Sequence, residues 1–396
     1  LLAKKGYILS LGGGTNQMPF LEACKKAGYK SITIDKNTVS PGFAFSDLKI
    51  VESITEYRKI YSILLKTVLN APLVGVGCRS YGKATQSLAY LSEKLGLPGN
   101  PWNVVKKFSN KAMLNRFLQE RGISVPAQIT LAQALEENVR FPLICKPALG
   151  DGKKGILKLN SKKELQKISS KIPSGAFLEE FIEGKEFTVL GFVQKGKFHL
   201  VSVSDKITTA YPPFLEIAHI LPSSQPDLTG EFKFLCQRIS TLTGLTNGPL
   251  VAEFKVDSRK NIFLIEVAPE VGGEYLAEQL LPNHYGYDYF ADYVRLLVGE
   301  ELHLYDKRKK VTKETLIRFL APPQGKYKFI DFKKDSVSPN SFVFFEKDLK
   351  LKGDVCDSSE GNSSRIHVAG YSRPLSLPRE FDPTKTIDRE VLLESI

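Results

Sequence analysis

The sequence predicts a multidomain α/β and α+β chain: a parallel α/β domain first, a mixed region next and a β-rich extension last. Three observations predict it. The 396 residues exceed what one compact core organises, so two to four domains are expected. The first hundred residues alternate short apolar strands with amphipathic helices, the order of a parallel sheet covered by helices. Beyond about residue 140 strand sequence dominates.

Taken in order, residues 7–11 read as a strand that runs into Gly12-Gly13-Gly14 and a helix ending near Ala27. Residues 31–34 and 73–76 read as further strands, with helices over 55–69 and 82–95. Gly96-Leu97-Pro98-Gly99-Asn100-Pro101 punctuates the chain and marks a boundary. Helical sequence resumes from Val104 and again over 110–122, where Gly122 ends it. Strands follow over 141–146, 155–159, 176–180, 186–193 and 198–204, with one helix over 162–171. A helix over 227–242 precedes a hairpin, and helices are expected over 274–281 and 285–299. The remainder reads as short strands, including 342–345 and 365–369.

The bulk composition, 42% hydrophobic and 25% charged, is that of an ordered globular chain. No run of about 18 apolar residues exists, so no membrane span is expected. Leu1-Leu2-Ala3-Lys4-Lys5 lacks the apolar core and small-residue cleavage site of a secretory signal. Five widely spaced cysteines form no C-x-x-C, which argues against a disulfide framework or a cysteine metal site and fits a reducing cytoplasm. The formal charge is +12, but its lysines are dispersed in short runs, the longest at residues 307–310. No basic stripe interleaved with aromatics appears, so a nucleic-acid partner is not expected.

Three segments carry chemistry. Residues 141–147 form a short apolar strand ending at Lys146, followed by Gly150, Gly152 and Gly155 around Lys153. Such a glycine loop turns its backbone N–H groups toward phosphate oxygens, although it is not a P-loop and a plain hairpin turn reads equally well. Next, Phe177-Leu178-Glu179-Glu180-Phe181-Ile182-Glu183-Gly184-Lys185-Glu186 joins two strands through an acidic bend. Its carboxylates can accept hydrogen bonds from an adenine amino group and from ribose. Last comes a hairpin. If Asp257 pairs with Ile262 across a four-residue turn, Glu253 falls opposite Glu266. Directly opposed side chains lie about 5 Å apart. Two carboxylates that close need a cation or proton between them, and such oxygens suit Mg²⁺, with Mn²⁺ as a substitute.

The order of these pieces, beginning with Lys111 in Ser109-Asn110-Lys111-Ala112-Met113, resembles the ATP-grasp superfamily. The segments Arg121-Gly122-Ile123-Ser124-Val125-Pro126 and Ile265-Glu266-Val267-Ala268-Pro269-Glu270-Val271-Gly272-Gly273 also match its pattern. The resemblance spans about residues 100–299. It is strongest to the carboxylate–amine ligases and the related biotin carboxylase and carbamoyl-phosphate synthase group, and the first domain is similar to the superfamily's usual N-terminal domain. It implies segments 1–100, 101–185, 186–300 and 301–396: the N-terminal domain, a helical and lid subdomain, a catalytic subdomain and a β-rich extension. It implies that Lys111 and Lys146 contact ATP phosphates under a lid containing Gly150, Gly152, Lys153 and Gly155. Adenine would be held by Glu179, Glu180, Phe181 and the backbone near Ile182, ribose by Glu186, and Mg²⁺ by Glu253 and Glu266. The reaction implied is an ADP-forming union of a small carboxylate and an amine through an acyl phosphate.

Two positions depart from that pattern. Ala268 stands where the family usually has asparagine, which removes an oxygen ligand. Glu270 stands where many members have arginine, and could instead ligate metal or bind a cationic amine. Lys206 and Arg318 are further candidates for substrate contact, Arg318 as a replacement for the missing arginine. Two other readings stay open. The chain could be an ATP-binding regulatory protein without catalysis. It could also be a dehydrogenase using Gly12-Gly13-Gly14 and Asp35 for a dinucleotide, although Gln17 breaks that fingerprint. The last hundred residues would complete the cleft or form a homodimer surface.

Overall fold

The computed structural model describes residues 5–136, 138–150, 152–173, 175–304, 312–332, 342–375 and 391–396. The basic run at 307–310 lies outside them. The first sheet is parallel, with the order β3-β2-β1-β4: β1 is Tyr7–Leu11, β2 Lys30–Asp35, β3 Leu48–Val51 and β4 Leu73–Cys78. The inner strands β2 and β1 are buried along nearly their whole length because helices cover a parallel sheet on both faces. Strand β3 is absent from the sequence reading. It is a four-residue edge whose alternate side chains stay exposed, so it carries little apolar signal. The helix Met18–Lys26 packs on the helix Tyr289–Leu297 through Phe20 and Tyr293, whose ring centroids lie 5.3 Å apart. The Tyr293 hydroxyl accepts from the Cys78 N–H (3.0 Å) and donates to the Cys78 carbonyl (3.1 Å), which ties this domain to the rest.

A second, antiparallel sheet has the order β5-β8-β6-β7, from β5 (Gln128–Ile129), β6 (Leu143–Pro147), β7 (Leu157–Leu159) and β8 (Ala176–Glu180). Alternation decides its faces. Leu143, Cys145 and Leu178 join Ala134 and Leu165 of two covering helices in a small core. Ile144, Lys146 and Glu179 point the other way, into a cavity.

The main sheet has eight strands in the order β13-β12-β9-β10-β11-β14-β18-β16. They are β9 (Lys185–Gln194), β10 (Lys197–Thr208), β11 (Glu216–Leu221), β12 (Asn247–Val256), β13 (Ile262–Ala268), β14 (Lys313–Leu320), β16 (Phe342–Asp348) and β18 (His367–Pro374). The cut expected at residue 300 therefore does not divide the sheet. Strands β14, β16 and β18 continue it, while β15 (Lys326–Phe332), β17 (Val355–Asp357) and β19 (Val391–Ser395) form a sheet of their own. One face of the main sheet packs on the helix Thr229–Thr243, where Phe232 sits 5.4 Å from Phe187 and 5.2 Å from Phe254 by ring centroids. The neighbours of those two phenylalanines, Glu186 and Glu253, consequently face the cavity. Among the described residues no helix is long and apolar enough to cross a membrane.

Candidate functional site

The hairpin β12–β13 opposes Glu253 to Glu266, as the sequence expects, but by a different route. Val256, not Asp257, pairs with Ile262, and the register slips between Glu253 and Phe254 so that Ile265 is left over. A one-residue slip normally reverses every side chain of a strand. Here the extra residue is absorbed as a bulge, which keeps both carboxylates on the cavity side.

These acids border a cavity between the second sheet and the main sheet. Lys111, Lys146, Gly150, Lys153, Glu179, Glu180, Phe181, Ile182, Glu186, Glu253 and Glu266 all line it, together with Lys154, Phe214 and Lys255. Lysines sit on the carboxylates. Lys111 Nζ is 2.8 Å from Glu266, and Lys206 Nζ is 2.5 Å from Glu253 and 2.8 Å from Glu216, with Glu186 at 3.7 Å. Lys206 is 1% exposed. Burial alone would depress its ammonium, but Glu216, Glu253 and Glu186 outweigh that and hold it well above the ordinary lysine range. Burial raises the Glu253 carboxyl against the pull of Lys206, with Glu216 and Glu266 adding to the rise. Glu266 goes the other way: Lys111, Lys146 and Lys206 overcome its burial. Two opposed carboxylates whose affinities for protons are pushed apart in this way form an oxygen-rich locus for a hard cation. Among the described residues no group of three or more His, Cys, Asp or Glu could hold a metal, so a cation here would complete its shell with phosphate and water oxygens.

Glu179 does not stand open to a base. Its carboxylate is buried and paired with Lys146 at 2.6 Å, and burial raises it despite that lysine. It fixes Lys146 over the cavity. The bend beyond it is capped by aromatics: Phe181 stacks on Phe214 with centroids 5.9 Å apart, and the Lys158 and Lys255 ammoniums lie 4.0 and 4.8 Å from the Phe181 ring centroid. Lys255 also donates to the Ile182 carbonyl at 3.0 Å and lies 3.3 Å from Glu186. Burial pushes the Glu186 carboxyl up, but Lys206, Lys153 and Lys255 hold it below the usual range.

Gly150, Gly152, Lys153 and Gly155 all have positive φ, so the loop after β6 curls over the cavity. Lys153 Nζ donates to the Phe214 carbonyl at 2.7 Å and lies 3.5 Å from Glu216. The loop also meets the C-terminal region. The Asn362 N–H donates to the Gly152 carbonyl at 3.1 Å, and Lys154 pairs with Glu360 at 2.6 Å.

Other candidates are placed differently. Arg318 lies on the wrong side of the main sheet. It is paired across strands with Ala218, while its neighbours Ile317 and Phe319 turn to the opposite face, and strict alternation forbids all three from sharing it. Among the described residues an arginine that does reach the Lys206–Glu216 face of the sheet is Arg365. It binds Glu274 through both terminal nitrogens, lies 3.9 Å from Glu216 and stacks 3.9 Å above Phe319. Burial and the nearby Glu216 push the Glu274 carboxyl up to about 7 against the pull of Arg365. Glu274 and Tyr275 both have positive φ, a strained backbone for residues with side chains. Arg365 follows a short turn about a hundred residues beyond the recognisable segments, and no local motif marks it. His219, opposite Lys206 on β11, is kept neutral by burial, with its pKa lowered to about 3. Glu270 lies outside this cavity, in an adjoining cleft that shares Lys111, Gly150, Ile265 and Glu266 with it. The dinucleotide reading loses its ribose ligand: Asp35 accepts from the Gly13 N–H (2.9 Å) and the Ser40 hydroxyl (3.1 Å). Gly12 makes room for the Gln17 side chain, which binds Ser80 and the Arg79 N–H.

Residues 139–278 match the family model for the ATP-grasp domain. The solved structures similar in fold include an L-amino acid ligase from Bacillus licheniformis (TM-score 0.74, 20% identity, 94% of each chain). A phosphoribosylglycinamide synthetase from Anaerococcus prevotii is also similar (TM-score 0.71, 18% identity, 94% of this chain and 95% of that one). So is the biotin carboxylase domain of a 2-oxoglutarate carboxylase from Hydrogenobacter thermophilus, a dimer with MgADP and bicarbonate (TM-score 0.68, 17% identity, 93% and 86% covered). An uncharacterized protein, y4rH, from Sinorhizobium fredii is 20% identical over 255 residues, 61% of this chain. The matched stretch is about half (52%) of the length of that curated relative.

Proposed function

We propose that the chain is an ATP- and Mg²⁺-dependent, ADP-forming ligase that activates a small carboxylate as an acyl phosphate and joins it to an amine. The observation that carries this reading is the opposition of Glu253 and Glu266 at one end of a cavity whose other walls hold Lys111, Lys146 and an aromatic-capped acidic bend. Structures of similar fold include an L-amino acid ligase and a biotin carboxylase domain in complex with MgADP, which supports the same class.

In this reading Glu253 and Glu266 hold Mg²⁺, which when bound would offset charge on the phosphate oxygens. Lys111 and Lys146 bind the triphosphate, with Lys146 held in place by Glu179. Phe181 and Phe214 bound the base, and Glu186 takes ribose hydroxyls. The substrate carboxylate oxygen bonds to the terminal phosphorus as the bond to ADP breaks. The amine nitrogen then bonds to the carbonyl carbon, the carbon–oxygen bond to phosphate breaks, and the amine proton leaves with phosphate. The curled glycine loop excludes water from the acyl phosphate, which otherwise hydrolyses. Arg365 with Glu274 takes the place of the arginine that Glu270 displaces from the family pattern.

The test is ADP release against panels of carboxylates and amines, repeated with Glu266→Gln. ADP release that needs both substrates and is lost in the variant supports the ligase. Nucleotide binding with no turnover on any pair would favour the regulatory alternative, which Ala268 motivates.

A further inference from the structure

The cleft beside the nucleotide cavity lies between the N-terminal domain and β13. Two helices begin at it, Lys83–Leu95 and Lys111–Gln119, through Gly82, Lys83, Ser109 and Lys111. Helix N-termini carry partial positive charge, so this wall suits an anion even though the Lys111 and Met113 N–H groups already donate to the Ala148 carbonyl and the Asn110 side chain. A second, independent feature points the same way. Asn115 also lines the cleft, is 3% exposed, and its side-chain amide nitrogen is buried with no partner. A buried donor left unmade costs about 1–3 kcal/mol unless a ligand or water meets it. The facing wall is acidic, with Glu270 beyond Ala268 and Pro269, and Val105, Phe108 and Leu114 make an apolar floor.

We infer that this cleft binds the amine substrate as a zwitterion with an apolar body, in effect an apolar α-amino acid. Its carboxylate meets Lys83, Asn115 and the two helix starts, and its ammonium meets Glu270. The cleft is continuous with the nucleotide cavity through Lys111 and Glu266, so a ligand there lies next to the phosphate end. Glu270 is thus a specificity-determining residue: an acid at this position selects a cationic group where an arginine would select an anion. The inference rests on the ligase reading for the fate of the amine, but binding can be tested apart from turnover.

Calorimetric titrations of L-leucine, N-acetyl-L-leucine and L-leucinamide into the full chain test it, with and without Mg²⁺ and a non-hydrolysable ATP analogue. L-leucine should bind at least tenfold more tightly than either derivative, since each lacks one charge. Glu270→Gln should weaken L-leucine and leucinamide at least tenfold and leave N-acetyl-leucine unchanged. Lys83→Gln, on an exposed side chain, should weaken L-leucine and leave leucinamide unchanged. Circular dichroism checks that both variants fold. Analogue binding without leucine binding, or leucine binding indifferent to both substitutions, would overturn the inference and leave the ligase reading standing. Leucine binding that depends on Glu270 in a chain that ignores the analogue would sustain the inference and sink the ligase reading.

Discussion

Replacing Lys206 with methionine perturbs the site most sharply, because it removes one buried cation from among three carboxylates while keeping its length. Glu253 depends on Lys206 at 2.5 Å, Glu216 has Lys153 in addition at 3.5 Å, and Glu186 has Lys255 at 3.3 Å. Glu253 is therefore left worst off. Breaking a buried ion pair by removing one partner costs about 3–5 kcal/mol, which is the loss expected at pH 8. The sign with pH follows from the carboxyls. Without the ammonium the folded pKa of Glu253, the one of the three already raised, rises further above the ordinary 4.5, so there the folded state takes up a proton that the unfolded state lacks. Stability of the variant should then fall as pH rises, and the loss should shrink toward pH 5. Urea unfolding of both proteins at pH 5 and pH 8 measures this. Mg²⁺ should also restore more stability to the variant than to the wild type, because it supplies the missing cation. A loss below about 1 kcal/mol at pH 8, the size of an exposed pair, would refute the reasoning, as would an equal loss at both pH values.

Lys146→Ala removes a charged phosphate contact and should raise the apparent ATP constant about 10–100-fold, from about 1.5–3 kcal/mol per charged hydrogen bond; steady-state kinetics would show it. Gly361→Ala would place a Cβ 1.9 Å from the Gly152 carbonyl oxygen at a φ of 64°, so the loop should detach from its C-terminal dock. Faster proteolysis of the 150–155 loop and phosphate release without ligation should follow. Glu274→Gln removes a carboxyl raised from 4.5 to about 7, whose contribution to folding is full below pH 4.5 and is lost as pH rises to about 7. The stability of the wild type relative to this variant should fall by about 3 kcal/mol across that window, at about 1.4 kcal/mol per unit; thermal unfolding from pH 4.5 to 8 reports it.

The two-glutamate hairpin was legible because period-two alternation on both flanks places the acids opposite each other at a countable spacing. Its bulge was not, because Ile265 slips the register by one residue and the shortened pairing at Val256 slips it back. Lys146 and the glycine loop were legible as a strand end followed by residues suited to positive φ. The pairing of Glu179 with Lys146 was not, since it crosses from β8 to β6 and depends on which face each residue takes. Strands β11 and β14 escaped notice. Each is a short apolar run interrupted by Glu216, His219 or Arg318, and two of these polar residues are buried only because other chain segments surround them. Arg365 escaped for the same reason that Arg318 misled: no sequence pattern tells which arginine of a β-rich extension turns toward a cleft.

The most direct measurement is calorimetric titration of a non-hydrolysable ATP analogue into the wild type and Glu253→Gln/Glu266→Gln, each with and without Mg²⁺. Binding by the wild type should tighten at least about tenfold, or about 1.4 kcal/mol, when Mg²⁺ is present, and the double variant should lose that gain. Equal affinity with and without the ion in the wild type, or an undiminished gain in the variant, would contradict the account.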